Sequence, residues 1–441
     1  MTQRVDPTEN ALLRRFVFTI VALLVFRLGV HIPTPGVNTK ALVSLASQGG
    51  LLKILNMFSG GALARFSIFA LGVMPYISAS IAIQVLTIVV PSLEQLQKEG
   101  GSGRQKITRI TRAVAVILAL VQGFLMASGL EALPETAEGA AVLDPGLSFR
   151  ILSSLVLASG TCFVMWLGEQ MTEKGIGNGI SLLIFAGIVA YFPAGVGAVI
   201  QGLNDGSIGV FAALLIATFM ISIVFGVAFM EQSYRKIPVH YAKRIVGKRV
   251  LSAQSTHLPL KVNMSGVIPA IFASTVLALP VTFAGFSDAK SGNIWIAQLS
   301  PNGWMYQSLF VLLVLFFCYF YTSVVFKPDD VAENLKKQNA YIPGIRPGSE
   351  TADALGMVVG RLTLAGALYM NLVVLIPFFV EGYFGNKVSI SGGTSLLIVV
   401  GVALETIRQI SAQMATQRYD DLVFTSADKR EPAPTLTGPS L

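Results

Sequence analysis

The chain carries almost no thiol or imidazole chemistry, with 2 cysteines and 3 histidines in 441 residues. Cys162 and Cys318 each lie within an apolar run, where a lone cysteine behaves as a small hydrophobe, so neither a disulfide framework nor a thiolate metal site is implied. His31, His240 and His257 fall on separate loops, without an HExxH helix or any clustered carboxylate–histidine spacing, which argues against a metalloenzyme. A phosphate loop ending in Gly-Lys-Ser/Thr is lacking too. The run KGIGNG at Lys174–Gly179 places glycines before a helix but follows no strand, and reads as a flexible entry into the next apolar segment. Charge is scarce at 13%, against roughly 25% in soluble domains. No cofactor is called for, and any work done must draw its energy from elsewhere.

What the chain has in abundance is apolar sequence, 53% of its residues, with a mean hydropathy of +0.67. A helix crossing a bilayer needs about 20 mostly apolar residues. Ten segments approach that measure: Phe16–Val30, Gly72–Val90, Ala113–Leu130, Ile151–Leu167, Asn178–Ile200, Ile208–Met230, Asn263–Phe286, Trp304–Phe326, Met357–Val380 and Thr394–Ile410. Lipid offers the backbone no water, so runs this long must be helices. The first follows Arg14 and Arg15 as a signal peptide would, yet Arg27 and HIPTPG stand where a small-residue cleavage site belongs, so it is expected to be retained. If the spans alternate, 24 of the 32 Lys and Arg fall on the side of the N-terminus, counting Arg408 at the end of the last span, and 6 on the other, with Arg27 and Arg361 set aside inside spans. Basic loops stay in the cytoplasm, so both termini are expected there.

Ten spans divide into two sets of five, the arithmetic of an inverted repeat. The expected order is a cytoplasmic N-terminus (1–15), an N-terminal half (16–200), a C-terminal half (201–410) and a cytoplasmic tail (411–441). That tail has no apolar period from Ser426, carries Pro432, Pro434 and Pro439, and is expected to be disordered from there. Two cytoplasmic loops exceed what connection requires and imply a partner. In the first, 231–262, with seven basic residues, IPVHYA and RVLSAQS read as short strands around a turn at Gly247. The second, 327–356, reads as a short helix followed by a Pro/Gly-stiffened tip bearing Arg346.

Three functions compete for such a chain. An intramembrane protease needs a catalytic dyad within spans, and a secondary solute transporter needs ionisable residues at mid-membrane. Arg27, Arg361, Glu405 and Arg408 lie near span ends, while mid-span positions are small and aliphatic, which disfavours a binding site for a charged solute. One stretch fits no ordinary span: LNMFSGGALARFSIFALGVMPY, Leu55–Tyr76, is apolar but interrupted by Ser-Gly-Gly and Arg65.

Five runs together resemble the SecY family of protein-translocation channel subunits: NMFSGGALARFSIFALGVMPYISASIAIQ, MWLGEQMTEKGIGNGISLLIFAGIVA, STHLPLKVNMSGVIPAIFAS, NLKKQNAYIPGIRPG and GGTSLLIVVG. They occur in family order from Asn56 to Gly401. The resemblance implies an all-α polytopic protein of the bacterial plasma membrane, ten helices in two five-helix halves. It also implies a channel that passes unfolded polypeptides and releases membrane helices sideways, pushed by the SecA ATPase or a translating ribosome. SecE and SecG are the implied membrane companions, with SecDF and YidC as auxiliaries and anionic lipids around it.

Residue by residue, the resemblance implies a pore ring of Val73, Ile77, Ile180, Ile184, Ile271 and Ile398. Val73/Ile77 and Ile180/Ile184 are i,i+4 pairs that share a helix face. Aliphatic side chains make no directional bonds to a moving chain, and a narrow apolar neck disfavours water and ions. Asn56, Phe58, Ser59, Gly60, Gly61, Ala62, Arg65, Phe66 and Ile68 map onto the family's plug, expected to fold into the external funnel beneath the ring. Ser78, Gln84, Thr87, Gln122, Ser274 and Thr275 map onto the lateral gate, where polar side chains are expected to bond across helices. Arg235, Lys236, Arg244, Lys248, Arg249 and Arg346 are the implied contacts to SecA or to ribosomal RNA phosphates. Lysines at 236 and 248 replace arginines common in the family and lack the forked geometry, and Val73 is smaller than the usual isoleucine.

Overall fold

Helices occupy each of the ten expected segments. The computed structural model describes residues 7–47, 60–133, 139–206, 209–241, 244–246, 249–251, 255–286, 303–384 and 393–428. In chain order the helices are α1 (Pro7–Gly29), α2 (Thr39–Ser47), α3 (Met74–Val89), α4 (Pro91–Lys98), α5 (Gly101–Glu131), α6 (Leu147–Lys174), α7 (Gly179–Asn204) and α8 (Val210–Gln232). After a cytoplasmic insertion come α9 (Ile268–Phe286), α10 (Trp304–Val325), α11 (Pro328–Lys337), α12 (Ser349–Phe384) and α13 (Gly393–Asp428).

Seven of these, α5 to α8, α10, α12 and α13, are long and apolar enough to cross a membrane, and α3 with α4 makes an eighth if the bent pair is one span. Arg14, Arg15 and Arg27 dilute the apolar run of α1. The 100° bend between α3 and α4 falls where Pro91 follows Val90 in extended conformation, because proline disfavours a helical residue before it and has no N–H for the ladder. α8 is apolar on all sides and leaves Val210, Phe211, Ile221 and Phe225 exposed, the surface of a helix that faces lipid.

The glycine run before α7 serves as a tight connection. Gly177 takes φ +81°, and the Asn178 side chain accepts from the amides of Ile180 and Ser181, capping α7. α13 runs through Ser426 to Asp428, so the expected loss of structure does not begin at Ser426; residues 429–441 lie outside the described residues.

The cytoplasmic insertion is not purely helical. β1 (Tyr234–Tyr241) pairs antiparallel with β4 (Ser255–Lys261), and β2 (Arg244–Val246) with β3 (Arg249–Leu251). This corrects the expected hairpin: RVLSAQS is not the partner of IPVHYA but contributes a three-residue strand to a separate ribbon, and STHLPLK takes its place. β5 (Ala340–Tyr341) adds to the other edge of β1, His240 opposite Tyr341, and so joins the two loops. Val239, Leu335, Ala340, Ile342 and Leu355 form a small apolar core beneath them.

Within the membrane region one large apolar cluster draws on α1, α3, α6, α7, α8, α9, α10, α12 and α13, and a second lies between α5, α6 and the segment before α3. α9 packs against α3 and α5 on one side of the molecule, while α13 packs against α7 and α8. The contacts of α9 with α3 and α5, and of α13 with α7, join residues 16–200 to residues 201–410.

Candidate functional site

The six residues of the implied ring come from four helices and the turn before α3, and all six belong to the large cluster. Val73, the residue preceding α3, and Ile77 in its first turn are buried, as is Ile398 of α13; Ile180 and Ile184 of α7 and Ile271 of α9 are partly buried. Gly168 of α6 lets Ile180 pack closely, since a Cβ there would stand 3.0 Å from Ile180 Cγ1.

The described part of the implied plug, from Gly60 onward, is a series of turns without a helix. Asn56, Phe58 and Ser59 lie outside the described residues. Gly60 and Gly61 take φ +66° and +91°. Ala62 and Ile68 join the cluster that holds the ring, as does Phe69, whereas Leu63, Phe66, Ala70 and Leu71 enter the second cluster. The segment is thus wedged between two apolar bodies, with Arg65 on its exposed side.

Two backbone bonds anchor the end of the segment to the loop after α1: Thr34 N donates to Phe66 O at 2.9 Å and Ile68 N to Ile32 O at 3.0 Å. Phe69 stacks between Phe26 of α1 and Phe163 of α6, at centroid distances of 6.0 and 5.7 Å. Phe66, fully buried at φ +44°, is held in a conformation rare for a non-glycine residue.

The implied gate residues do lie on the helices that face each other, α3 and α5 against α9, but their hydrogen bonds do not cross as expected. Thr87 Oγ1 donates to Gln84 O at 2.6 Å, and Gln84 Nε2 donates to Ser80 Oγ at 3.4 Å, both within α3. Ser274 and Thr275 both donate to Ile271 O, at 2.8 and 2.7 Å, within α9. A hydroxyl in a helix reaches its own preceding turn more readily than a neighbouring helix. The Ser78 hydroxyl is buried without a hydrogen-bond partner among the described residues, and Gln122 is half-buried on α5.

On the cytoplasmic insertion, Arg235 and Lys236 are exposed on β1, opposite Leu260 and Pro259. Arg244 begins β2 and Arg249 begins β3, whereas Lys248 lies outside the described residues. Arg346 stands on the tip between Gly344 (φ +84°) and Gly348 (φ +121°). Its side chain is 87% exposed, with Glu350 at 3.8 Å as a loose partner. Among the described residues, no group of three or more His, Cys, Asp or Glu could hold a metal ion.

Sequence reasoning missed a polar junction at the base of this insertion. Asn263 Nδ2 donates to Glu231 Oε1 at 2.6 Å and to Gly266 O at 3.0 Å, and Ser265 Oγ donates to Asn263 Oδ1 at 3.0 Å. Arg408 of α13 donates to the Glu231 carbonyl at 2.8 Å and lies 5.6 Å from the centre of the Tyr234 ring. The end of α8, the start of β1, the entry to α9 and α13 therefore meet around one buried residue, Glu231.

A family model described as SecY aligns with residues 67–407. The protein translocase subunit SecY of Escherichia coli K12 is 47% identical over 414 residues, covering 92% of this chain and 93% of the relative. The chain belongs to the SecY family. The SecY subunit of Vibrio cholerae is 46% identical over 424 residues, 93% of each chain.

Three solved structures share the fold, each covering 94% of this chain and 95% of the other. They are a protein-conducting channel (TM-score 0.66, 15% identity), a SecY channel examined for its plug domain and membrane seal (0.64, 17%), and a canine channel bound to the ribosome (0.62, 15%). As a SecY-family member the chain is a multi-pass membrane protein and the protein-conducting channel subunit of a Sec translocase, not an enzyme.

Proposed function

We propose that unfolded polypeptides thread between the two five-helix halves, residues 16–200 and 201–410, through the neck formed by Val73, Ile77, Ile180, Ile184, Ile271 and Ile398. The observation that carries this reading is that all six share one apolar cluster with Ala62, Ile68 and Phe69 of the segment before α3. That segment closes the external side of the neck and moves aside when a chain enters. Hydrophobic signal sequences and membrane helices leave between α3 and α5 on one side and α9 and α10 on the other.

The joined cytoplasmic loops receive the driving partner, the SecA ATPase or a ribosome. Arg235, Lys236, Arg244, Arg249 and Arg346 meet its acidic groups or RNA phosphates, where guanidinium forks give paired contacts. SecE and SecG accompany the chain in the bacterial plasma membrane, with both termini cytoplasmic, as the excess of basic residues on that side favours. SecDF, YidC and anionic lipids act around this core.

The test is reconstitution. Vesicles containing this chain with SecE, supplied with SecA and ATP, are expected to import a signal-bearing precursor into a protease-protected lumen. Import without any motor, ribosome or membrane potential would contradict a passive conduit.

A further inference from the structure

Arg27 is a guanidinium on an apolar membrane helix, where a cation must find partners inside the protein or in water. Among the described residues no carboxylate lies within salt-bridge distance of it. Instead its Nη1 donates to the backbone carbonyl of Gly60 at 2.6 Å, 33 residues away and at the start of the described plug segment. Bonds from a charged donor at this length are roughly twice as strong as neutral ones.

Gly60 is also where the segment touches α7: a Cβ there would stand 2.8 Å from the Gly187 Cα, and φ is +66°. Glycine is thus needed for the close approach that presents its carbonyl to Arg27. The far end of the segment has two backbone bonds and the Phe26–Phe69–Phe163 stack. At Gly60 the described part of the segment has the Arg27 bond and the Gly187 contact, and Ala62 and Leu63 beside it are buried in the two apolar clusters. Arg65, in the same segment, lies close enough to Arg27 to repel it.

We propose that Arg27 is a positioning residue for the resting channel: a latch on α1 whose charged hydrogen bond to the Gly60 carbonyl holds the plug closed. The inference rests on the plug reading above. The backbone bonds and ring stack at 66–69 do not depend on Arg27, so loss of the latch frees the backbone at Gly60 while that anchor stays. A backbone acceptor suits the task because it leaves no carboxylate behind to trap Arg27 once the segment has moved.

The test measures resting ion conductance of the full chain with SecE and SecG in planar bilayers. Four proteins are compared: the natural chain, Arg27→Met, the deletion of Gly60–Ser67, and the two changes combined. Methionine keeps a long side chain and makes α1 more apolar, which favours insertion. Loss of a charged hydrogen bond predicts a rise of about tenfold in leak for Arg27→Met, and no further rise when it is added to the deletion. Gly60→Ala, which attacks the same contact from the other side, is expected to leak similarly.

An unchanged leak in both point variants would overturn the latch. So would an equal rise from Arg27→Met in the deletion background, which would show a packing defect of α1. If the deletion itself leaves the channel tight, the plug reading falls; if the deletion leaks and both point variants stay tight, only the latch falls.

Discussion

Arg346 combines three properties that rarely meet in one residue: almost complete exposure, a backbone stiffened by Pro343 and Pro347, and a partner no closer than 3.8 Å. Its own carbonyl is used, accepting from Thr351 Oγ1 at 2.7 Å, so the tip is fixed while the guanidinium stays available. Arg346→Glu is therefore expected to leave folding and insertion intact and to lower SecA-dependent import by tenfold or more, since like charges facing one another cost several kcal/mol at an interface. Import rates in vesicles, beside unchanged thermal unfolding of the purified variant, would check it, and normal import would remove the assignment. Residues of this kind were legible in the sequence because a proline-glycine tip and a lone arginine declare themselves locally. The i,i+4 spacing of Val73/Ile77 and Ile180/Ile184 showed only a shared helix face, and their proposed place in a ring came from the family resemblance. Arg27 could be seen as unusual, but its partner could not: a backbone carbonyl 33 residues away has no side-chain signature.

The elements were legible in proportion to their length. Runs of 20 apolar residues leave lipid no alternative to helix, so the helices in the ten apolar segments followed from hydropathy, with seven or eight of the described ones long and apolar enough to cross a membrane, whereas the two-residue β5 carries too little pattern to be seen. Yet β5 has the larger structural effect, because it makes one body of two loops through His240 and Tyr341. The misassigned strand shows the same limit: RVL and STHLPLK are both β-prone, and only pairing decides which faces β1.

A united body predicts coupling. Leu355 at the start of α12 is 1% exposed in the core under both loops. Leu355→Ala should cost about 2–5 kcal/mol locally, raise protease sensitivity of both loops together, and reduce import although the side chain touches no partner. Loosening of one loop alone in limited proteolysis would show that the loops act separately.

At the scale of the whole molecule the question is what holds the two halves together on the side that opens. The hydroxyls of Thr87, Ser274 and Thr275 spend their hydrogen bonds on their own helices, so the contact between the helices of the proposed gate rests on apolar packing, with Ile81 of α3 and Leu277 of α9 in one buried cluster. The sequence showed the polar residues but not the direction of their bonds, which depends on rotamers that no spacing encodes. The expectation follows that Ser274→Ala combined with Thr275→Ala changes the rate of signal-sequence release by no more than about threefold, the scale of a typical interhelical bond of about 0.6 kcal/mol in membrane proteins. Ile81→Ala removes packing worth about 2–5 kcal/mol, and some of that loss falls on the closed state alone. It should let a precursor with a weakened signal sequence enter at a rate approaching that of an intact one. Import of intact and weakened precursors by the three channels, measured side by side, separates the two accounts. A tenfold effect of the paired hydroxyl deletion, with Ile81→Ala inert, would move the energy of closure from packing to hydrogen bonds.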